Sequence, residues 1–207
     1  MLTILGHTVS INVRKVLWTC AELDLPYTLE AWGGAGPATA TPSFLALNPN
    51  ATVPVLKDGD LVLWESNTIC RYLAARYGNG ALLPAAAAPR AQVEQWMDWQ
   101  ATDLNSAWRY AFMHLVRRNP AFGDAAAAEA SVQDWNRRMA ILDGQLARTG
   151  AHVAGAAFTL ADVVIGLSVN RWLLSPITRP ALPAVAAYHE RLLQRPGFAA
   201  HGANGLP

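Results

Sequence analysis

Two stretches of the chain bring together groups that could grip a small charged molecule. In the first, Asn48-Pro49-Asn50-Ala51-Thr52-Val53-Pro54-Val55-Leu56, turn residues pass through Val53-Pro54 into an apolar run. A proline at the head of a strand cannot donate to a sheet ladder, and its tertiary amide is the ordinary route to a cis peptide bond. A cis Val53-Pro54 bond would turn the main-chain groups of Val53 outward, where an extended ligand could pair with them as an added strand. A trans proline opening an edge strand is the plainer alternative. In the second stretch, Glu65-Ser66 stands before Ile69, Leu73 and Tyr77, which recur at helical spacing. Ser66 has the side chain of a good N-cap, and a helix start with free N–H groups is a ready anion site. A carboxylate and an anion-binding helix end would then lie side by side.

The elements around these stretches decide whether they can meet. Lys57-Asp58-Gly59-Asp60 is a turn signal between Val53–Leu56 and a second strand, Leu61-Val62-Leu63-Trp64, so a hairpin runs into the Ser66 helix. Upstream, Leu2–Leu5 is a short strand ending at Gly6-His7, and Ser10-Ile11-Asn12 precedes a helix face of Val13, Val16, Leu17, Cys20 and Ala21. Pro26 closes that helix, Tyr27-Thr28-Leu29 begins another strand, and Thr41-Pro42 caps a short helix. The order is βαβ-α-ββα.

Gly78-Asn79-Gly80 breaks the pattern, and everything beyond Pro89 reads as helix. Val93, Met97, Leu104, Trp108, Ala111 and Leu115 mark one long helix stopped by Asn119-Pro120. Ala128 through Leu146 marks another, ended near Gly150. Thr159-Leu160-Ala161-Asp162 resembles a capping box with a shorter acid, and it opens a nearly all-apolar, central helix. Pro183 opens a last helix, which Arg195-Pro196-Gly197 ends. The fold class is α/β plus all-α, with residues 1–80 as the first domain, 81–88 as a linker and 89–207 as an all-helical second domain.

Asn48-Pro49, then Val53-Pro54-Val55-Leu56, then Glu65-Ser66 and Ile69 together resemble the glutathione S-transferase superfamily, and the resemblance covers nearly the whole chain. It implies a thioredoxin-like N-terminal domain and glutathione as co-substrate. By that resemblance Val53, ahead of cis-Pro54, pairs its backbone with the cysteinyl unit, and Glu65 and Ser66 hold the γ-glutamyl ammonium and carboxylate. Ser10-x-Asn12-x-x-Lys15 looks like the serine/theta-type and bacterial transferases, and no Tyr lies between Met1 and Pro26. Ser10 and Asn12 are thus the catalytic candidates, and which of the two dominates stays open. A hydroxyl before a helix N-terminus can donate to a bound thiolate while the helix dipole adds positive potential. A free thiol has a pKa near ~8.5, and such surroundings lower it. Without the resemblance, Ser10 reads first as a plain helix cap, since serine is a leading cap residue.

Trp108, Arg109 and Phe112 fall on the stretch that in this family borders the second-substrate pocket, and aromatics beside a cation would suit flat, apolar electrophiles. Trp108 also shares the core-facing stripe of Leu104 and Leu115. The chain departs from the family pattern in carrying Ala51-Thr52 before the Val-Pro pair and no basic residue from Ala38 to Asn48. Trp32 and Arg109 are the candidate holders of the glycyl carboxylate. The activity implied is thiol conjugation to a small hydrophobic electrophile. Glutathione-dependent peroxide or disulfide reduction at the same site, and non-catalytic ligand binding, are the alternatives.

Composition bounds the rest. Among 207 residues 52% are apolar and the net charge is +1, which gives a sizeable core and no electrostatic footprint for nucleic acid. No apolar run is long enough for a transmembrane helix, so no membrane partner is expected. Cys20 and Cys70 show neither CxxC nor metal-ligand spacing, and the five histidines are dispersed, so no metal is expected and a cytoplasmic location is the simple reading. Cys20 shares a core helix face, and Asp162 is better explained as a cap than as a catalytic acid. The resemblance and the prevalence of two-fold oligomers both imply a homodimer.

Overall fold

The computed structural model describes residues 1–205 and 207; Leu206, within the region expected to be helical, lies outside the described residues. Strands β1 (Leu2–Gly6), β2 (Tyr27–Ala31), β3 (Val55–Asp58) and β4 (Leu61–Trp64) form one mixed sheet of order β2-β1-β3-β4. β1 and β2 are parallel, whereas β3 runs antiparallel to both β1 and β4. A parallel pair needs a crossover, and α1 (Ile11–Glu22) supplies it. The β3–β4 hairpin turns on Gly59, whose φ of 58° lies where a side chain would be strained. α2 (Pro42–Leu45) and α3 (Ser66–Tyr77) complete the βαβαββα order expected.

The remaining elements are helices: α4 (Ala87–Trp99), α5 (Asn105–Leu115), α6 (Ala125–Thr149), α7 (Leu160–Leu174), α8 (Pro183–Leu193) and α9 (Pro196–His201). The structure corrects the sequence reading in three places. The single helix expected through Val93–Leu115 carries a π-helical turn over Gln100–Leu104. A π turn admits one extra residue and so re-aims the side chains around it, and here Gln100 is buried among polar partners on α1 and α7. Arg195-Pro196 ends α8 but also starts α9, because proline is well placed at the first turn of a helix. Ser66 is the first residue of α3 and not its cap; Glu65 occupies the cap position.

α7 is the axis of the molecule. Leu160 through Trp172 are all buried, as its continuous apolar run predicts. Gly166 permits its close approach to α1, since a Cβ there would stand 2.6 Å from Leu192 and 3.1 Å from the Trp18 ring. Trp18, fully buried on α1, packs against Phe158 and Phe198 at 5.7 and 4.9 Å between ring centroids, so the sheet domain and the helices share one core.

The capping box at Thr159 is present, and it is more than a cap. Asp162 Oδ2 accepts from Thr159 N at 2.8 Å, and its Oδ1 accepts from Val153 N at 2.9 Å and from the Tyr188 hydroxyl at 3.1 Å. Asp162→Asn replaces one accepting oxygen by a donor among buried donors, and a loss of about 1–2 kcal/mol of stability is expected. Urea unfolding of both proteins measures it; an unchanged midpoint would deny the carboxylate this role.

Candidate active site

The register of the sheet gathers three segments at one end. Val55 lies opposite Leu5 on one side and opposite Trp64 on the other. The chain leaving β1 towards Ser10, the chain entering β3 through Val53-Pro54 and the chain leaving β4 through Glu65-Ser66 therefore converge there. The Val53-Pro54 bond is cis. The loop before it is shaped by buried Asn48, which donates to Thr52 O at 2.8 Å and accepts from Asn50 N at 3.0 Å.

At this end the N-termini of α1 and α3 meet. Ser10 is the α1 cap, but its Oγ accepts from Val13 N only at 3.5 Å, the outer limit of a hydrogen bond. Ser66 Oγ donates to Asn12 Oδ1 at 3.3 Å and so joins the two helix starts. Glu65 is exposed and takes φ 71°, ψ 107°, a region that non-glycine residues rarely occupy. Such outliers persist where surrounding structure enforces them and often mark ligand contacts.

Beneath Ser10 and Asn12 opens a cavity of about 590 Å³, walled by Trp108, Arg109 and Phe112 of α5. All three pocket residues expected from the sequence line it: Phe112 is buried, Trp108 half-buried and Arg109 exposed. Trp32, the other candidate for the glycyl carboxylate, does not join them; its ring packs on Phe44 at 5.0 Å.

Sequence reasoning missed Arg117 and Arg171, which also line the cavity. Arg171 is 3% exposed, its guanidinium carbon 4.4 Å from the Trp108 ring centre and 4.1 Å from that of Phe112. Burial, then the like charges of Arg14 and Arg117, pull its pKa down to about 9. The signal was present: an arginine in a largely apolar, buried helix costs too much to bury without a purpose.

Lys15, the third residue of the Ser10-x-Asn12-x-x-Lys15 pattern, is fully buried and donates to Asn67 Oδ1 at 3.1 Å and Gln100 Oε1 at 2.8 Å. Gln100 passes the chain on to Asn105 Oδ1 at 2.8 Å, which also accepts from Trp108 Nε1 at 3.0 Å. Desolvation brings the Lys15 pKa down to about 8. This buried polar chain ties α1 and α3 to the aromatic wall of the cavity. The thiols are placed otherwise. Cys20 and Cys70 are buried, and burial pushes them up to about 12 and about 11, so neither is a ready nucleophile. Among the described residues no cluster of three or more His, Cys, Asp or Glu is arranged to hold a metal, and no helix is long and apolar enough to cross a membrane.

Comparison with known proteins agrees with this geometry. The glutathione S-transferase N-terminal domain family matches residues 9–76, and the glutathione S-transferase C-terminal domain family matches residues 106–196. The chain is similar to glutathione S-transferase GstB of Escherichia coli (strain K12), with 39% identity over 198 residues and 95% of each chain covered. It is similar to glutathione S-transferase 3 of Zea mays, with 34% identity over 95% of this chain and 91% of the relative. Among solved structures it superimposes on the theta class glutathione S-transferase of Xanthomonas axonopodis pv. citri with glutathione bound. There the TM-score is 0.92 at 40% identity, covering 100% of this chain and 99% of that one.

Proposed function

Since the chain belongs to the glutathione S-transferase family, we propose that it binds glutathione along the cis-Pro54 loop and the α3 start, activates the thiol at Ser10 and conjugates it to an electrophile held in the cavity beneath. Val53 pairs its main chain with the cysteinyl unit. Glu65 takes the γ-glutamyl ammonium, and Ser66 with the first N–H groups of α3 takes the adjacent carboxylate. Ser10 donates to the sulfur. Asn12, its carbonyl engaged by Ser66, adds an amide donor beside it. Trp108 and Phe112 form the apolar wall for the second substrate.

The observation that carries this reading is the 3.3 Å bond between Ser66 and Asn12, at the sheet end where the register also delivers Val53-Pro54. It supports the reading because Glu65-Ser66, the Val53-Pro54 bond and the Ser10 hydroxyl then lie at the same end of the sheet as the cavity. Turnover of chloro-nitroaromatic, peroxide and mixed-disulfide substrates with glutathione tests it. Conjugation of the first is expected; activity confined to the other two would favour the reductase reading, and none at all would favour a binding protein.

The division into residues 1–80, a linker at 81–88 and 89–207 belongs to the same proposal, as does a cytoplasmic location, favoured by two cysteines left as free thiols. We also expect a homodimer. Leu61, Val62 and Trp64 leave an exposed apolar strip on the edge strand β4, the sort of surface a second copy covers. Light scattering at micromolar concentration should give twice the chain mass of 22.3 kDa; a monomer would defeat the expectation.

A further inference from the structure

We propose that the electrophile this chain takes carries an anionic group, in the first instance a carboxylate, seated on Arg171 with Arg117 and Arg109 beside it. The proposal rests on the transferase reading above and specifies its second substrate. Three arginines line the cavity and, among the described residues, no carboxylate does. None of the three makes an ion pair among the described residues, whereas the half-buried arginines Arg71, Arg90, Arg138 and Arg195 do. Arg14, nearby on α1, is engaged elsewhere, donating to Asn204 Oδ1 at 3.0 Å and Pro207 O at 3.2 Å.

Arg171 is the telling residue. It is buried to 97%, being only 3% exposed, and its Nε has no hydrogen-bond partner among the described residues. A buried, unpaired cation is among the costliest features a fold can carry. The guanidinium carbon lies over the rings of Trp108 and Phe112, which offset part of that cost. Ring contacts do nothing for the in-plane N–H donors, whose fork geometry matches a carboxylate. The lowered Arg171 pKa of about 9 has the same origin, as desolvation and like charge are uncompensated by any acid. The aromatic rings that hold the guanidinium also wall the cavity below Ser10. A flat acid could thus stack on the wall, place its carboxylate on Arg171 and present its reacting carbon to the thiolate.

The thiol loses its proton to solvent, and the sulfur pair forms a C–S bond at the ring carbon bearing chlorine. The C–Cl bond then breaks, and chloride leaves with the bonding pair.

The test compares 4-chloro-3,5-dinitrobenzoate with its methyl ester as substrates, and 3,5-dinitrobenzoate with its methyl ester as ligands in calorimetry. The intact protein is expected to prefer each acid by about tenfold or more, in kcat/KM and in Kd, the scale of one charge-assisted pair. Arg171→Gln should erase the preference while glutathione Kd stays within about twofold. Should Arg171→Gln fail to fold, Arg109→Gln with Arg117→Gln at exposed positions should still cut the preference several-fold. Equal binding of acid and ester by the intact protein overturns the proposal, even if both are conjugated. A matching loss of glutathione affinity in Arg171→Gln also overturns it, since the arginine would then serve the co-substrate. Tight, Arg171-dependent binding of the acid without conjugation of either substrate upholds the anion site and instead overturns the transferase reading.

Discussion

Ser10→Ala is expected to lower kcat/KM for glutathione conjugation by roughly 10²- to 10³-fold, the cost of losing one preorganised donor at developing or resident negative charge. The geometry says why the loss should fall on chemistry. As a cap, Ser10 Oγ reaches Val13 N only at 3.5 Å, so the cap contributes little and the hydroxyl is poorly committed to its own helix. Fold stability should therefore change by less than the ~1 kcal/mol of an ordinary cap deletion. The thiolate is the nucleophile, and a depression of ~2 units in its pKa corresponds to about 2.7 kcal/mol of differential stabilisation. Removing the donor raises the thiol pKa, so the rise of kcat/KM with pH should move to higher pH in the variant. Thiolate absorbance against pH in the binary complex reads the same shift. A well-folded Ser10→Ala with unchanged kcat/KM and an unmoved pH profile would pass the role to Asn12, whose carbonyl is already fixed by Ser66.

The second large effect concerns Glu65. Glu65→Gln is expected to weaken glutathione about ten- to hundred-fold, because a charge-assisted hydrogen bond of ~1.5–3 kcal/mol to the γ-glutamyl ammonium is lost. Two observations separate this role from a helix-dipole role. Glu65 makes no side-chain capping bond, so little helix stabilisation is at stake. Its backbone also stands at φ 71°, a conformation that costs free energy and that glutamine tolerates no better. The substitution therefore changes the charge and leaves the backbone requirement as it was. Calorimetry should show the affinity loss with thermal stability nearly unchanged. An intact Kd accompanied by a stability loss of about 0.3–1 kcal/mol would return Glu65 to the helix dipole.

Much of this architecture was legible because local physics set it. The caps at Ser10, Thr41 and Thr159, the helix end at Gly150 and the Asp-Gly hairpin follow from side chains and backbone freedom within a few residues. Where competing local signals were balanced, the reading failed. Ser66 had the side chain of a cap, yet its hydroxyl is drawn across to Asn12 on another helix, and Glu65 takes the cap position. The π turn at Gln100 likewise answers to Lys15 and Ser168, which lie 85 and 68 residues away in the chain.

By itself, then, the sequence determined the βαβαββα order of the first part, the two-part α/β and helical division, and a short set of candidate residues: Ser10, Asn12, Val53, Pro54, Glu65, Ser66, Trp108, Arg109 and Phe112. Each is announced by its neighbours. The tertiary structure alone decided that the chain leaving β1, entering β3 and leaving β4 meets at one end of the sheet, since strand register is fixed by long-range pairing. It alone placed Arg171, in the last turn of a largely apolar helix, at the cavity wall against two rings contributed by α5. A buried charge is recognisable in sequence only as an anomaly. What it faces depends on the packing of helices whose contacts are non-local, and that packing added Arg117 and Arg171 to a pocket for which the sequence had offered one cation, Arg109.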